Sequence, residues 1–283
     1  MTAVFDEVHQ DQVSTPVPDA PRRVEAPVPG GRRLSGRLLA ASSGLVLPAL
    51  LLGLWHWASN SGSFSRSQLP TPASVLDAAQ ELIDRGMLWT HIAITVQRVL
   101  VGFAIGASVG LVIGSLVGLN RVASRLLSPL IQSLRAVPSL AWVPLLVLWM
   151  GIYESPKITL IAIGAFFPVF TTVAAGFAHA DRKLVEVGRA YGLRGASLVT
   201  GVLLPTAAPT IAAGLRLGLA QAWLFVVAAE LIASSKGLGF LLIDSQNVLR
   251  TDILILSIIL LAILGKLTDF VLSRVECRVL RWV

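Results

Sequence analysis

From Asp181 to Pro205 the chain reads Asp-Arg-Lys-Leu-Val-Glu-Val-Gly-Arg-Ala-Tyr-Gly-Leu-Arg-Gly-Ala-Ser-Leu-Val-Thr-Gly-Val-Leu-Leu-Pro. Apolar runs flank it on both sides, residues 158–177 before it and 206–231 after it. Each run has the roughly 20 predominantly apolar residues that a helix needs to cross a hydrocarbon core. The polar stretch between them is therefore a loop at a membrane surface. Its pattern predicts a helix ending at Gly192, a residue suited to the left-handed position that follows a helix. A tight Leu193-Arg194-Gly195 turn comes next, then a second short helix with Ser197 near its start, closed by Pro205 just before the next span. Such a helix–turn–helix, laid across a membrane face, is a rigid knob that can pass a push to the spans at both its ends.

Working outward, six apolar runs suit membrane spans: residues 38–58, 95–119, 127–152, 158–177, 206–231 and 253–272. Composition agrees, with 54% apolar and only 14% charged residues, against about 25% charged in soluble domains. The net charge of +7 resembles a nucleic-acid signal until its carriers are placed, for the basic residues flank apolar runs and set orientation instead. Arg22, Arg23, Arg32, Arg33 and Arg37 precede the first run. Arg121, Arg125, Arg182, Lys183, Arg189, Arg194, Arg274, Arg278 and Arg281 fall on the same side, and only Arg66, Arg85, Lys157, Lys236 and Arg250 on the other. Fourteen against five predicts that both termini are cytoplasmic.

Residues 1–37, with five prolines and scattered charges, hold too little apolar surface to fold and read as a disordered basic cytoplasmic tail ahead of a membrane domain over 38–283. The first run reads as an uncleaved anchor by its length, a signal peptide being the competing interpretation. In the second run Gly102, Gly106, Gly110, Gly114 and Gly118 recur every four residues. That spacing allows close backbone approach between membrane helices, and since four residues overshoot a turn, the stripe is expected to wind round and serve more than one neighbour. The third run is interrupted by Pro138 and Pro144, so 127–136 is expected to be a short interfacial helix leading into a kinked span. Arg135 there either lies against protein or snorkels to headgroups. Thr71-Pro72, followed by Val75, Leu76, Ala79, Leu82 and Ile83 on one face, predicts a short amphipathic helix on the outer side.

Glu186, Gly192, Val202, Leu204 and Pro205 keep the offsets of the pattern E-A-A-x3-G-x9-I-x-L-P, and on this the chain resembles the ABC-type import permeases, whose cytoplasmic "EAA" loop carries that pattern. Val187 and Gly188 replace its two alanines. The likeness extends from about Leu69 to the C-terminus through Leu69-Pro70-Thr71-Pro72, Gln97-Arg98-Val99-Leu100-Val101-Gly102-Phe103, Pro138-Ser139-Leu140-Ala141-Trp142-Val143-Pro144 and Ala165-Phe166-Phe167-Pro168. Ala228-Ala229-Glu230-Leu231 and Gly237-Leu238-Gly239 also look like the sulfonate, taurine and nitrate branch, the sulfonate permeases most of all. The resemblance implies an all-α integral membrane protein, a polytopic helical bundle of about six transmembrane helices with the type I ABC importer permease fold, in a bacterial cytoplasmic (inner) membrane. It implies as partners a second permease copy, a cytoplasmic ABC ATPase dimer and an extracytoplasmic solute-binding protein, beside membrane lipid. It further implies that Glu186, Arg189, Ala190, Tyr191, Gly192, Leu193, Arg194, Gly195, Leu204 and Pro205 form the ATPase-coupling loop.

The chain contains no GxxxxGK[ST] or HExxH motif, so it is expected neither to bind ATP through a phosphate loop nor to act as an enzyme. ATP would be bound by the partner, and no cofactor or metal is expected. The lone Cys277 and four scattered histidines offer no metal-ligand set. Arg98, Arg135, Arg216 and Glu230 fall within apolar runs, where charges are functional candidates by default. With Trp142 they are candidates for the solute pathway, and the alternative is that they bond to neighbouring helices. A channel or secondary transporter would need ion-coordinating breaks in repeated halves, which the sequence does not display. A membrane scaffold would use the loop for another partner.

Overall fold

In a hydrocarbon core each backbone donor must find its acceptor within the protein, and a single segment does this only as a helix. The structure, a computed structural model, describes residues 33–65 and 67–280, and all regular structure among them is helical. Contacts divide the chain into two units, Met1–Leu52 and Gly53–Val283. In the first, the described residues belong to α1 (Arg33–Asn60), a helix of 28 residues. It begins at Arg33, ahead of the expected Leu38, and residues 1–32 of the expected tail lie outside the described range.

The second unit contains α2 (Pro72–Asp84), α3 (Met87–Leu119), α4 (Arg121–Ala136), α5 (Val143–Met150), α6 (Glu154–Ala178), α7 (Arg182–Ala190), α8 (Ala196–Leu198), α9 (Leu204–Ala233), α10 (Leu238–Asn247) and α11 (Thr251–Val279). Among the described residues, four helical stretches are long and apolar enough to cross a membrane: α3, α6, the 36-residue stretch Ala196–Leu231, and α11. The third apolar run is, as expected, a short helix followed by a separate piece: Arg121–Ala136 and Ser139–Met150 are bent by 87° and make a fifth crossing only if both halves count as one. The break falls where Pro138 removes a donor and forces Val137 into extended backbone, at φ −71° and ψ 124°. The first half also starts earlier than expected, because the Asn120 side chain caps it by accepting from the Val122 and Ala123 amides.

α6 is the centre of the bundle. Its Ile161, Ala165, Val169 and Val173 are completely buried, packed between α3 on one side and α9 on the other. The glycine stripe explains the first contact. A Cβ at Gly102 would stand 2.6 Å from Ile161 Cγ2, one at Gly110 3.0 Å from Val169, one at Gly114 2.9 Å from Val173 and one at Gly118 2.8 Å from Phe177, while at Gly106 it would strike the Ala162 carbonyl oxygen. The stripe therefore serves one neighbour, not several, because its partner residues advance in step with it. The two helices run parallel and follow one another's surface. On the opposite side the antiparallel α9 brings Gly218 over Val169 and Gly214 over the Thr172 side chain.

α2 is the expected helix, but Leu76 and Ile83 of the expected apolar face are exposed and the buried face is shifted. Thr71 caps it by accepting from the Ser74 amide, and Val75, Ala78 and Leu82 are buried with Leu241, Ile253 and Leu256. Glu81 on its polar side bonds Arg250 at 2.8 Å, and the guanidinium holds the Glu81 carboxyl below the usual carboxylate range. α10 was not expected from the sequence, since its ten residues, Leu238–Asn247, are too few to give a span signal.

Candidate functional site

The loop joining α6 to α9 is built from local hydrogen bonds. Asp181 caps α7 by accepting from the Lys183 amide at 2.9 Å. At the other end the Gly192 amide donates to the Arg189 carbonyl at 2.9 Å and the Leu193 amide to the Gly188 carbonyl at 3.0 Å. This is the paired closure of a Schellman motif. It requires a left-handed residue, and Gly192 supplies it at φ +84°. Gly195 adopts φ +55°, and the Ser197 hydroxyl both accepts from the Arg194 amide and donates to the Arg194 carbonyl, so the turn is pinned twice. Gly188 is the one buried residue of α7, with the Leu198 and Val202 side chains 2.9 and 3.0 Å from where its Cβ would be.

The second half of the loop departs from expectation. α8 is not closed by Pro205. It passes through a wide π turn, Val199–Leu203, into α9 without interruption. Pro205 has no amide hydrogen and its ring crowds the carbonyl four residues back; the π turn just upstream is the local adjustment that keeps the helix continuous. Glu186, Arg189, Ala190, Tyr191, Arg194 and Leu204 are exposed, Leu193 and Pro205 half-buried. Tyr191, at the apex, is 84% exposed.

At the ends of α6 and α9 remote from this loop lies a second polar group. Arg98 of α3 is 4% exposed and every nitrogen of its guanidinium is hydrogen-bonded. Nε and Nη2 donate to the two Glu154 carboxylate oxygens, each at 2.6 Å, while Nη1 donates to Glu230 at 2.8 Å and to the Lys236 carbonyl at 2.7 Å. Glu230 is completely buried and also accepts from the Thr95 hydroxyl at 2.9 Å and the Gly239 amide at 2.8 Å. The Leu238 amide donates to Thr95 and the Gly237 amide to His91 Nδ1. Three successive amides of the segment before and into α10 are thus taken up by buried side chains. Gly237, at φ +122°, lies directly over the Glu230 carboxylate. Lys157, 5% exposed, donates to Glu154 at 3.0 Å.

The structure therefore brings Arg98 and Glu230 together and separates them from the other pathway candidates. Arg216 forms a two-pronged pair with Asp269 of α11, at 3.0 and 3.1 Å. Arg135 is exposed in the last turn of α4. Trp142 lines an apolar cleft of about 330 Å³ between α3, α4 and α6, together with Ile105, Gly106, Leu134 and Phe166. The sequence reading missed Thr95, His91, Glu154 and Lys157. Lys157 was counted as a loop charge, and only its spacing of three from Glu154, at a helix start, hinted at a pair.

These features define a polytopic helical membrane protein with a structured loop on one face and a buried ion cluster at the opposite end of its central helices. Comparison with known proteins gives the family. Residues 106–281 match the binding-protein-dependent transport system inner membrane component, and the chain belongs to that family: it is the permease subunit of an ABC importer. It is 44% identical over 236 residues to the putative aliphatic sulfonates transport permease protein SsuC of Escherichia coli (strain K12), covering 83% of this chain and 90% of that one. To the protein of the same name from Bacillus subtilis (strain 168) it is 41% identical over 239 residues, 84% of this chain and 87% of that one. The fold is similar to that of the MetNI methionine ABC transporter in inward-facing conformations, with a TM-score of 0.54 at 22% identity over 71% of this chain and 98% of that chain.

Proposed function

We propose that the segment Arg182–Leu198 is the coupling element, which seats in a groove of a separate ABC ATPase dimer and delivers its closure to α6 and α9. ATP binds to that partner and is hydrolysed there. The observation that carries this reading is the apex itself. Tyr191 projects into solvent from a turn locked by the Gly192 and Ser197 hydrogen bonds. A large exposed aromatic on a rigid support is the form of an interface anchor, since the backbone beneath it is already ordered and loses little freedom on docking. The solute is a small anion, an aliphatic sulfonate by the likeness to the two permeases named above; taurine, itself a sulfonate, and nitrate are the alternatives of the same branch. A second copy of this chain completes the pathway, and an extracytoplasmic binding protein delivers the solute.

The test is capture of the purified ATPase by the full-length chain in lipid nanodiscs. Tyr191→Ala is expected to lower affinity roughly tenfold or more, the loss of an anchor residue. Gly192→Ala is expected to weaken it less, through strain of about 1 kcal/mol at the left-handed position. Undiminished capture by both variants sinks the coupling assignment.

The basic residues on the loop side support cytoplasmic termini. Cys277, exposed near the end of α11, is the only cysteine of the chain and so reports its own side. A membrane-impermeant maleimide is expected to label it in inverted vesicles and not in intact cells. Labelling in intact cells reverses the topology.

A further inference from the structure

We infer that Glu154 occupies an oxyanion site, standing in for the sulfonate head of the solute, which displaces it from Arg98 and Lys157. This rests on the reading of the chain as an importer of a small anion, and it places the first intramembrane contact of that anion at the end of α6 remote from the loop.

Four observations converge there. Arg98 and Lys157 are both more than nine-tenths buried, whereas the Glu154 side chain that joins them is 56% exposed. The partner that can leave is thus the carboxylate, not the cations. Charge balance gives the second argument. With Glu154 turned outward, Arg98 and Lys157 face only the buried carboxylate of Glu230, so one positive charge is left over in a poorly solvated place. One monoanion restores neutrality, and an unpaired buried charge is costly enough to favour its entry. Third, a cavity of about 760 Å³ opens beside the pair, and its lining combines polar Glu154, Lys157 and Ser234 with apolar Val147, Ile152 and Tyr153. That mixed lining suits a charged head with a short alkyl tail. Fourth, Ser234 Oγ is buried with no hydrogen-bond partner, alone in this among the described side chains. A carboxylate has two oxygens, and both are already held by the Arg98 fork. A sulfonate has a third, for which the Ser234 hydroxyl, lining the same cavity, is available as a donor.

The experiment is equilibrium binding of labelled ethanesulfonate to the full chain in nanodiscs, with neither ATPase nor binding protein present. Glu154→Gln is expected to bind roughly tenfold more tightly than the parent, because the site is freed from its internal occupant. Adding Lys157→Gln to that variant is expected to abolish the gain, and adding Ser234→Ala to reduce it severalfold. Ethylammonium, of like size and opposite charge, is expected not to bind. Unchanged or weaker ethanesulfonate binding by Glu154→Gln overturns the inference and leaves Glu154 a structural anchor. A gain seen in phosphatidylcholine discs but lost with phosphatidylglycerol present also overturns it, since a lipid phosphate is then the occupant. ATPase capture through Tyr191 is measured separately, so failure of ethanesulfonate binding leaves the coupling assignment standing, and loss of coupling leaves this site intact.

Discussion

Gly106→Val is expected to yield no folded permease. At this position a Cβ would meet the carbonyl oxygen of Ala162, and a backbone atom in the middle of a buried helix cannot turn aside as a side chain can. Overpacking a core usually costs about 1–3 kcal/mol, and here relief requires separating α3 from α6 along a shared seam. A Cβ added at Gly102, Gly110 or Gly114 would likewise stand only 2.6 to 3.0 Å from α6, so the two backbones are closely apposed along the whole seam. Measured by detergent extraction and size-exclusion chromatography, the variant should aggregate or be degraded. Gly53→Val is the matched control, for nothing lies within 4 Å of its Cβ. A monodisperse Gly106→Val protein with parental thermal stability would falsify this account of the seam.

The second large effect is expected from Arg98→Met. It strips Glu230 of its ion partner while that carboxylate stays buried, held only by Thr95 and the Gly239 amide. Removing one partner of a buried pair costs about 3–5 kcal/mol, since the remaining charge is uncompensated. The double variant Arg98→Met with Glu230→Gln should recover much of this, because it leaves a neutral amide in place of a stranded charge. Glu154→Gln should lower thermal stability too, but less than Arg98→Met: it leaves one charge of the buried Arg98 and Lys157 uncompensated, while the carboxylate it removes is itself half exposed. Thermal unfolding in one detergent compares all three. If Arg98→Met melts with the parent, the cluster does not hold α3 to α9.

Much of this was legible in the chain because it follows from local rules. The apolar runs gave the helices, Gly192 gave the end of α7, and Thr71-Pro72 gave the start of α2, each from spacing and propensity within a few residues. The frame of Glu186, Gly192, Leu204 and Pro205 located the loop. What could not be read depended on partners distant in sequence. Nothing near Arg98 announces that it meets Glu154 and Glu230, at separations of 56 and 132 residues, and Glu154 and Lys157 look like ordinary charges at a helix start. The single-neighbour glycine seam was hidden for the same reason, since the stripe shows the path of α3 but not that α6 follows it. Pro205 misled because a proline near a helix start is normally a boundary, and a π turn that absorbs it leaves no local signature.

That π turn fixes an angle. Each residue advances an α-helix by about 100°, and a π turn inserts roughly one residue beyond the α repeat. Val199–Leu203 therefore acts as a phase shifter between Gly195 and Gly214. It sets the azimuth at which α9 leaves the loop, and with it the face that turns Gly214 and Gly218 toward α6. The loop below and the packed seam above are consequently indexed to one another through five residues.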